Sequence, residues 1–208
     1  MSELLAELLS SRVRGAVLSH LLPRPHLGFG LTDLSHELDL PISSLQHECY
    51  KLVRIGVLRD QRAKGSRHYR PNAACPLLPA LTTLVLAAIG RERAVTASIE
   101  GIDGLHGAFL ATEAGADERV FVLIGDFSVE EVDSAHARVA LALNATVIPP
   151  AASPLPLALA YFRTGDWQSR MGAGNPYART LLSRVEMVLN GFPAGDLRRG
   201  SGSSLAEK

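Results

Sequence analysis

Residues 31–72 constrain the fold more than any other stretch of this 208-residue chain. The sequence there is LTDLSHELDLPISSLQHECYKLVRIGVLRDQRAKGSRHYRPN. Thr32 is a typical N-cap residue for a short helix over residues 33–38. Pro41 cannot continue that helix, but it suits the start of another. The stretch therefore predicts two helices joined by a tight turn, the second over residues 43–55.

The second helix has two faces of different chemistry. Either of two serines can cap its start, and Gly56 is a typical terminator because glycine readily adopts a left-handed conformation. The apolar residues recur at helical spacing and are expected to pack on the preceding helices; they are Leu45, Cys49, Leu52 and Val53. The other face carries side chains able to hydrogen-bond base edges or phosphates, namely Ser43, Ser44, Gln46, His47, Tyr50, Lys51 and Arg54. A solvated polar face would explain the same pattern if the helix stood alone.

A basic hairpin is predicted after this helix. Residues 57–61 and 67–70 have strand-forming sequences, and Gly65 supplies the turn between them. Between residues 41 and 70, seven lysines and arginines outnumber Glu48 and Asp60, in a chain whose formal net charge is zero. The hairpin side chains expected to contact phosphate are Arg62, Lys64, Arg67, His68 and Arg70. A local basic stripe beside a polar helix favours nucleic-acid binding over a solvated surface.

Residues 31–72 resemble the winged helix-turn-helix of the ArsR and MarR-like bacterial transcriptional regulators. The shared pattern is a helix, a turn, a recognition helix ending in Ile-Gly, and a basic wing closing in Tyr-Arg-Pro-Asn. The resemblance implies a homodimer that binds double-stranded DNA at a palindromic operator, with the recognition helix in the major groove and the wing on the backbone. The metal-sensing branch uses cysteine or histidine clusters that this sequence lacks, so no metal site and no cofactor are expected. Protein contact through the wing is an alternative that its charge disfavours.

The segments on either side of this stretch are predicted to support it. Residues 11–22 read as an amphipathic core helix, and residues 28–30 as a brief strand that pairs with the wing. Residues 76–90 form a mostly apolar helix, which is either covered within its own domain or paired with its symmetry mate in a dimer. We therefore expect a winged helix-turn-helix domain over residues 1–75 and a linker or dimerisation helix over residues 76–92.

Strand and helix patterns alternate from residue 93 onward, which predicts a small α/β domain over residues 93–199. The expected strands are residues 105–111, 118–125, 144–148 and 185–189. The expected helices are residues 95–100, 128–143, 157–162, 166–171 and 177–183. Residues 200–208 are expected to be a disordered tail. The fold class predicted for the whole chain is α+β.

This order of elements resembles the minimal nucleotidyltransferase domain of the DNA polymerase beta type, which some bacterial regulators carry fused to a winged helix. In that family a strand leads into Gly-Ser, and two aspartates on the next strand bind a divalent metal. Here Ala111-Thr112-Glu113 stands in place of Gly-Ser, and Glu118 and Val120 occupy the aspartate positions. One carboxylate and a valine cannot hold the two-metal arrangement of phosphoryl transfer. The resemblance therefore implies a non-catalytic domain used for dimerisation or for sensing a small-molecule or protein effector. An active nucleotidyltransferase with a winged-helix targeting module is the alternative.

The sequence argues against a membrane or secreted protein. The longest apolar run, residues 77–89, is interrupted by Pro79, Thr82 and Thr83 and falls short of the roughly 20 residues that a spanning helix needs. The N-terminal residues lack the pattern of a signal peptide. Cys49 and Cys75 lack metal-ligand spacing and are expected to be buried thiols. We expect a cytoplasmic protein with no membrane partner.

Overall fold

A computed structural model describes residues 3–63, 65–112, 118–147 and 154–190. The chain is mixed α+β with two sheets. It divides into two compact units, the first covering residues 1–98 and 141–151 and the second covering residues 99–140 and 152–208. The tail predicted over residues 200–208 lies outside the described residues.

The first unit contains helices and a small antiparallel sheet. Its elements are α1 (Glu3–Leu8), α2 (Arg12–Leu21), β1 (Phe29–Gly30), α3 (Leu31–Leu38), α4 (Ile42–Arg54), β2 (Leu58–Ala63), β3 (Ser66–Pro71) and α5 (Leu78–Ile89), followed by α6 (Arg91–Ile99). The strand order is β1-β3-β2, with both pairings antiparallel. The brief strand predicted near residues 28–30 therefore does pair with the hairpin. Helix α1 was not predicted from the sequence.

Short-range chemistry sets the helix ends, although two predicted caps are wrong. Helix α3 begins directly after Gly30, whose N–H donates to the Asp33 carboxylate, so Thr32 lies inside the helix and does not cap it. Helix α4 begins directly after Pro41, and its first turn includes both Ser43 and Ser44. In each case the N-cap residue, Gly30 or Pro41, lies two or three positions earlier than the hydroxyl side chains that were predicted to cap the helix.

The core of the first unit is built around α4. Leu45, Cys49 and Leu52 are buried on its inner face, and Val53 is half-buried, as the helical spacing predicted. They belong to one apolar cluster with residues of α1, α2, the hairpin and α5. Fully burying a leucine stabilises the fold by about 1.5 to 3 kcal/mol. Burial of one whole face therefore fixes which side chains of α4 point to solvent.

The apolar helix predicted over residues 76–90 forms as α5 and packs within the first unit. Val85 belongs to the core cluster, and Leu78, Leu81, Ala88 and Ile89 pack against it half-buried. Leu77 and Leu84 remain exposed. A large part of α5 is therefore covered within its own unit. That its exposed residues pair with a second copy of the chain stays a prediction.

The second unit is a four-stranded mixed sheet with helices. Its elements are β4 (Leu105–Thr112), β5 (Arg119–Gly125), most of α7 (Val129–Ala145), β6 (Leu157–Phe162), α8 (Thr164–Gly172), α9 (Pro176–Ser183) and β7 (Val185–Asn190). The strand order is β6-β5-β4-β7, in which β5 and β6 are parallel and the other pairs are antiparallel. Phe109, Val122 and Phe162 of the sheet form one apolar cluster with Trp167 of α8 and Leu181 of α9.

Two predicted elements of this unit are wrong. Residues 157–162 were predicted to be helical but form β6, because pairing with β5 along its length outweighs the helix preference of leucine and alanine. Residues 144–148 were predicted to be a strand, but Asn144 and Ala145 continue α7. Ile148, the last residue of that predicted strand, lies outside the described residues. The remaining helices and strands of this unit form close to their predicted positions.

Among the helices that the structure describes, none combines the length and the apolar character needed to cross a membrane.

Candidate nucleic-acid interface

Helix α4 presents a continuous polar face to solvent. Ser43, Gln46, His47 and Tyr50 are exposed and follow one another at the i, i+3, i+4 and i+7 spacing of a single helix face. Tyr50 is 60% exposed, which is high for so large an aromatic side chain. The opposite face of α4 is buried in the core, which fixes the orientation of the helix and leaves these four side chains exposed.

The β2–β3 hairpin lies beside this helix and has two faces set by its register. Arg62 pairs with Arg67 and Asp60 with Tyr69, so these four residues share the face that leads down to the core. We call it the groove face. The Arg67 Nε lies 3.1 Å from Asp60 Oδ2, so the two side chains form an ion pair along this face. The opposite face, which we call the outer face, carries Arg59, Gln61, His68 and Arg70.

The helix and the hairpin enclose a common groove. It has a volume of about 290 Å³ and is lined by Ser43, Gln46, His47, Tyr50, Arg67 and Tyr69. Four hydrogen-bonding side chains of one helix face therefore open onto the same space as a hairpin arginine. A polar helix face beside a basic strand offers side chains of the kinds that contact base edges and phosphates.

Two further cations of α4 lie elsewhere. Lys51 and Arg54 line a second cavity of about 290 Å³, together with apolar residues that include Leu9, Leu18 of α2 and Leu81 of α5. The Lys51 Nζ is 3.9 Å from Glu48 Oε2. The structure therefore does not bring these two predicted contact residues into the groove. Ser44, also predicted to make contact, is half-buried and outside the groove lining.

The hairpin residues predicted to contact phosphate are divided between its faces. Arg62 and Arg67 are on the groove face, whereas His68 and Arg70 are half-buried on the outer face. Lys64 lies outside the described residues. Arg59 was not among the residues predicted to contact phosphate, although the register of the hairpin places it directly opposite Arg70. Tyr69 was also missed, because only the tertiary fold brings it against α4.

Two ionisable side chains of this region, Tyr69 and Cys49, have raised pKa values. Burial raises the pKa of the Tyr69 phenol above its ordinary value, and the neighbouring Arg67 opposes that shift. Burial, helped by the adjacent Glu48 carboxylate, raises the pKa of the Cys49 thiol to about 12. Cys49 and Cys75 are both free and buried, as predicted. Neither shift creates a charge that would repel an anion from the groove.

The positions compared with nucleotidyltransferases do not form a carboxylate pair. Val120 is buried in β5, and Glu118 is exposed immediately before that strand. Thr112 ends β4, while Glu113 lies outside the described residues. Within the described part of the chain, no group of three or more His, Cys, Asp or Glu residues could hold a metal ion.

Comparison of this chain with protein-family models, curated proteins and solved structures gives no match.

Proposed function

We propose that this protein is a sequence-specific transcriptional regulator that binds double-stranded DNA. The observation that carries the proposal is the groove in which four polar side chains of α4 meet Arg67 of the hairpin. The major groove of B-DNA is about 12 Å wide and admits one helix, and its base edges offer donors and acceptors to side chains such as Gln46 and His47. The helix would read sequence while the hairpin holds the adjacent backbone.

Charge supports phosphate rather than protein as the partner of the hairpin. Arg62 and Arg67 lie directly opposite each other, and the pair has only Asp60 as an acidic neighbour on the groove face. A guanidinium has five N–H donors, and the ion pair with Asp60 is made on the Nε side of the group. A phosphate can therefore be bound by Arg67 while Asp60 keeps the side chain in place.

The second unit is proposed to be non-catalytic and to serve dimerisation or the sensing of an effector. A homodimer would match a palindromic operator, and the proposal places the protein in the cytoplasm. The support is the buried Val120 at a position where phosphoryl transfer would need a carboxylate. Magnesium-dependent transfer of a labelled nucleotide by the purified chain would contradict this part.

The experiment selects duplexes from a random library with the full chain and then measures affinity for the enriched sequence by gel shift in a salt series. Arg62→Ala combined with Arg67→Ala should weaken binding at least tenfold and reduce the salt dependence, because phosphate contacts release counterions. Arg163→Ala combined with Arg184→Ala, two exposed arginines of the second unit, is the matched control and should bind like the wild type. Equal binding by both double variants would contradict the proposal.

A further inference from the structure

The outer face of the hairpin is more basic than its groove face. Arg59 and Arg70 are direct cross-strand partners there, and Gln61 pairs with His68 beside them. The hairpin contributes no acidic residue to this face, whereas on the groove face Asp60 neutralises one of two arginines. On the β1 side of the sheet, Asp33 accepts a hydrogen bond from the Gly30 N–H. Within the described residues no ion pair joins Asp33 to either outer-face arginine.

This pairing costs the free protein stability. Residues directly opposite each other in an antiparallel ladder have Cβ atoms about 5 Å apart, and like charges at that spacing repel. Arg70 is half-buried, and its Nε atom is inaccessible to solvent with no hydrogen-bond partner among the described residues. The Nδ1 atom of His68 on the same face is in the same condition. In the free protein, neither the paired arginines nor the buried nitrogen atoms without partners add to the stability of the fold.

An anion between the two arginines would remove both costs. A phosphodiester oxygen accepts charge-assisted hydrogen bonds from guanidinium groups and offsets their repulsion. Buried donors without partners in a folded protein are commonly completed by an ion or water. The four outer-face side chains all carry nitrogen donors, which suits phosphate and does not suit an apolar partner.

We propose that the outer face of the hairpin, formed by Arg59, Gln61, His68 and Arg70, is a second phosphate-binding surface that contacts the backbone of the bound duplex independently of the groove. This inference rests on the proposed function. Phosphates of the duplex would then contact both the groove face and the outer face of the hairpin. Because phosphate contacts position a protein without reading sequence, this surface adds affinity and salt dependence but no sequence preference.

The test measures duplex affinity by fluorescence anisotropy over a salt series, with the enriched duplex and a scrambled duplex of equal length. Arg59→Gln combined with Arg70→Gln should lower the steepness of log K against log salt by about 1 to 2, because each neutralised phosphate accounts for about 0.9 of the slope. The preference for the enriched duplex should stay at the wild-type value. Gln61→Lys should raise the slope by about 1, whereas Gln168→Lys, which adds the same charge to an exposed position of α8, should not change it.

The melting temperature of the free protein shows whether a variant loses DNA affinity because a contact is gone or because the fold is less stable. Arg59→Gln relieves the cross-strand repulsion and should raise the melting temperature or leave it unchanged while binding weakens. A lower melting temperature together with an unchanged salt slope would overturn the inference, as would a Gln61→Lys variant that binds like the wild type. A wild-type protein without any sequence preference, but with the expected slope changes, would overturn the proposed function and support this inference.

Discussion

The Arg14 guanidinium donates from Nε to Glu48 Oε1 over 2.6 Å, which joins α2 to α4 through a buried carboxylate. The side chain of Glu48 is 6% exposed and that of Arg14 is 33% exposed. Arg14 also donates from Nη1 to the Leu9 carbonyl, 3.1 Å away. Since Gln46 and His47 directly precede Glu48 on α4, this contact helps to fix the helix that carries the polar face.

Loss of Arg14 should destabilise the first unit. Arg14→Met leaves a buried carboxylate without its closest partner, which costs several kcal/mol for a fully buried pair. Because Arg14 is one-third exposed and Lys51 remains near Glu48, we expect a loss of about 1 to 3 kcal/mol in the free energy of unfolding. Urea denaturation measures it. Arg12→Met, an exposed arginine on the same helix, is the control, and an equal effect of the two substitutions would contradict the assigned role.

Gly125, the last residue of β5, closely approaches the backbone of Gly104, just before β4. A Cβ atom there would overlap the Phe127 ring and would lie 2.5 Å from the Gly104 carbonyl oxygen, which is backbone and cannot turn away. The Tyr161 hydroxyl, which donates to the Gly125 carbonyl over 3.1 Å, adds a further restraint. Gly125→Ala should therefore lower stability by about 2 to 3 kcal/mol through overpacking.

Gly165→Ala is the matched control for that substitution. Gly165 lies in α8, and an added Cβ would meet no atom within 4 Å. Alanine is a better helix former than glycine, so the variant should be as stable as the wild type or slightly more so. Thermal unfolding followed by circular dichroism compares the two variants. Equal melting temperatures would show that the close approach at Gly125 is unimportant.

A capping box at the start of α7 should make stability depend on pH. The Glu131 carboxylate accepts hydrogen bonds from the Ser128 backbone N–H at 2.8 Å and from the Ser128 hydroxyl at 2.9 Å. These bonds lower the pKa of Glu131 below its ordinary value. A lowered pKa in the folded state means that the stabilisation is complete above the unfolded value of about 4.3. It is lost as the pH falls through the lower folded value.

Glu131→Gln removes the titrating group while keeping a similar shape. Its melting temperature should therefore fall less steeply between about pH 5 and pH 3 than that of the wild type. Glu130→Gln, in the same helix turn, is the matched control and should retain the wild-type pH dependence, because Ser128 donates to Glu131. Parallel pH profiles for the wild type and Glu131→Gln would refute the assignment.

Cys49 should resist alkylation in the native protein. With a thiol pKa of about 12, the thiolate at pH 8 is a fraction of about 10⁻⁴, and the thiolate is the reactive form. Burial in the α4 core restricts the reagent further. Iodoacetamide followed by mass spectrometry should label Cys49 only after denaturation. Rapid labelling of the native protein at pH 8 would show that α4 is not packed as described.

The helices and the hairpin of the candidate interface were predictable because local chemistry fixes these elements. Pro41 separates two helices, and Gly56, with a φ of 78°, ends the second of them. Gly65, with a φ of 82°, forms the hairpin turn. These constraints act within a few residues, so a single sequence reveals them. The helical spacing of Leu45, Cys49 and Leu52 then decided which face of α4 would be exposed.

Contacts between distant residues could not be predicted in the same way. Residues 157–162 read as a helix because leucine and alanine favour one, and only the pairing with β5 makes them a strand. The division of the hairpin cations between two faces depends on register, which pairs Arg59 with Arg70 and Arg62 with Arg67. The burial of Glu48 likewise depends on a distant contact, because its partner Arg14 lies 34 positions earlier in the chain, on α2.

The most direct test of the central claim is the preference of the full chain for one DNA sequence. After selection from a random library, affinities for the enriched duplex and for a scrambled duplex of equal length are compared at about 0.15 M salt. We predict that the enriched duplex binds about 10³-fold more tightly or better, as specific regulators do. Gln46→Ala combined with His47→Ala should remove most of this preference. Equal affinity of the wild-type chain for both duplexes would contradict sequence-specific binding.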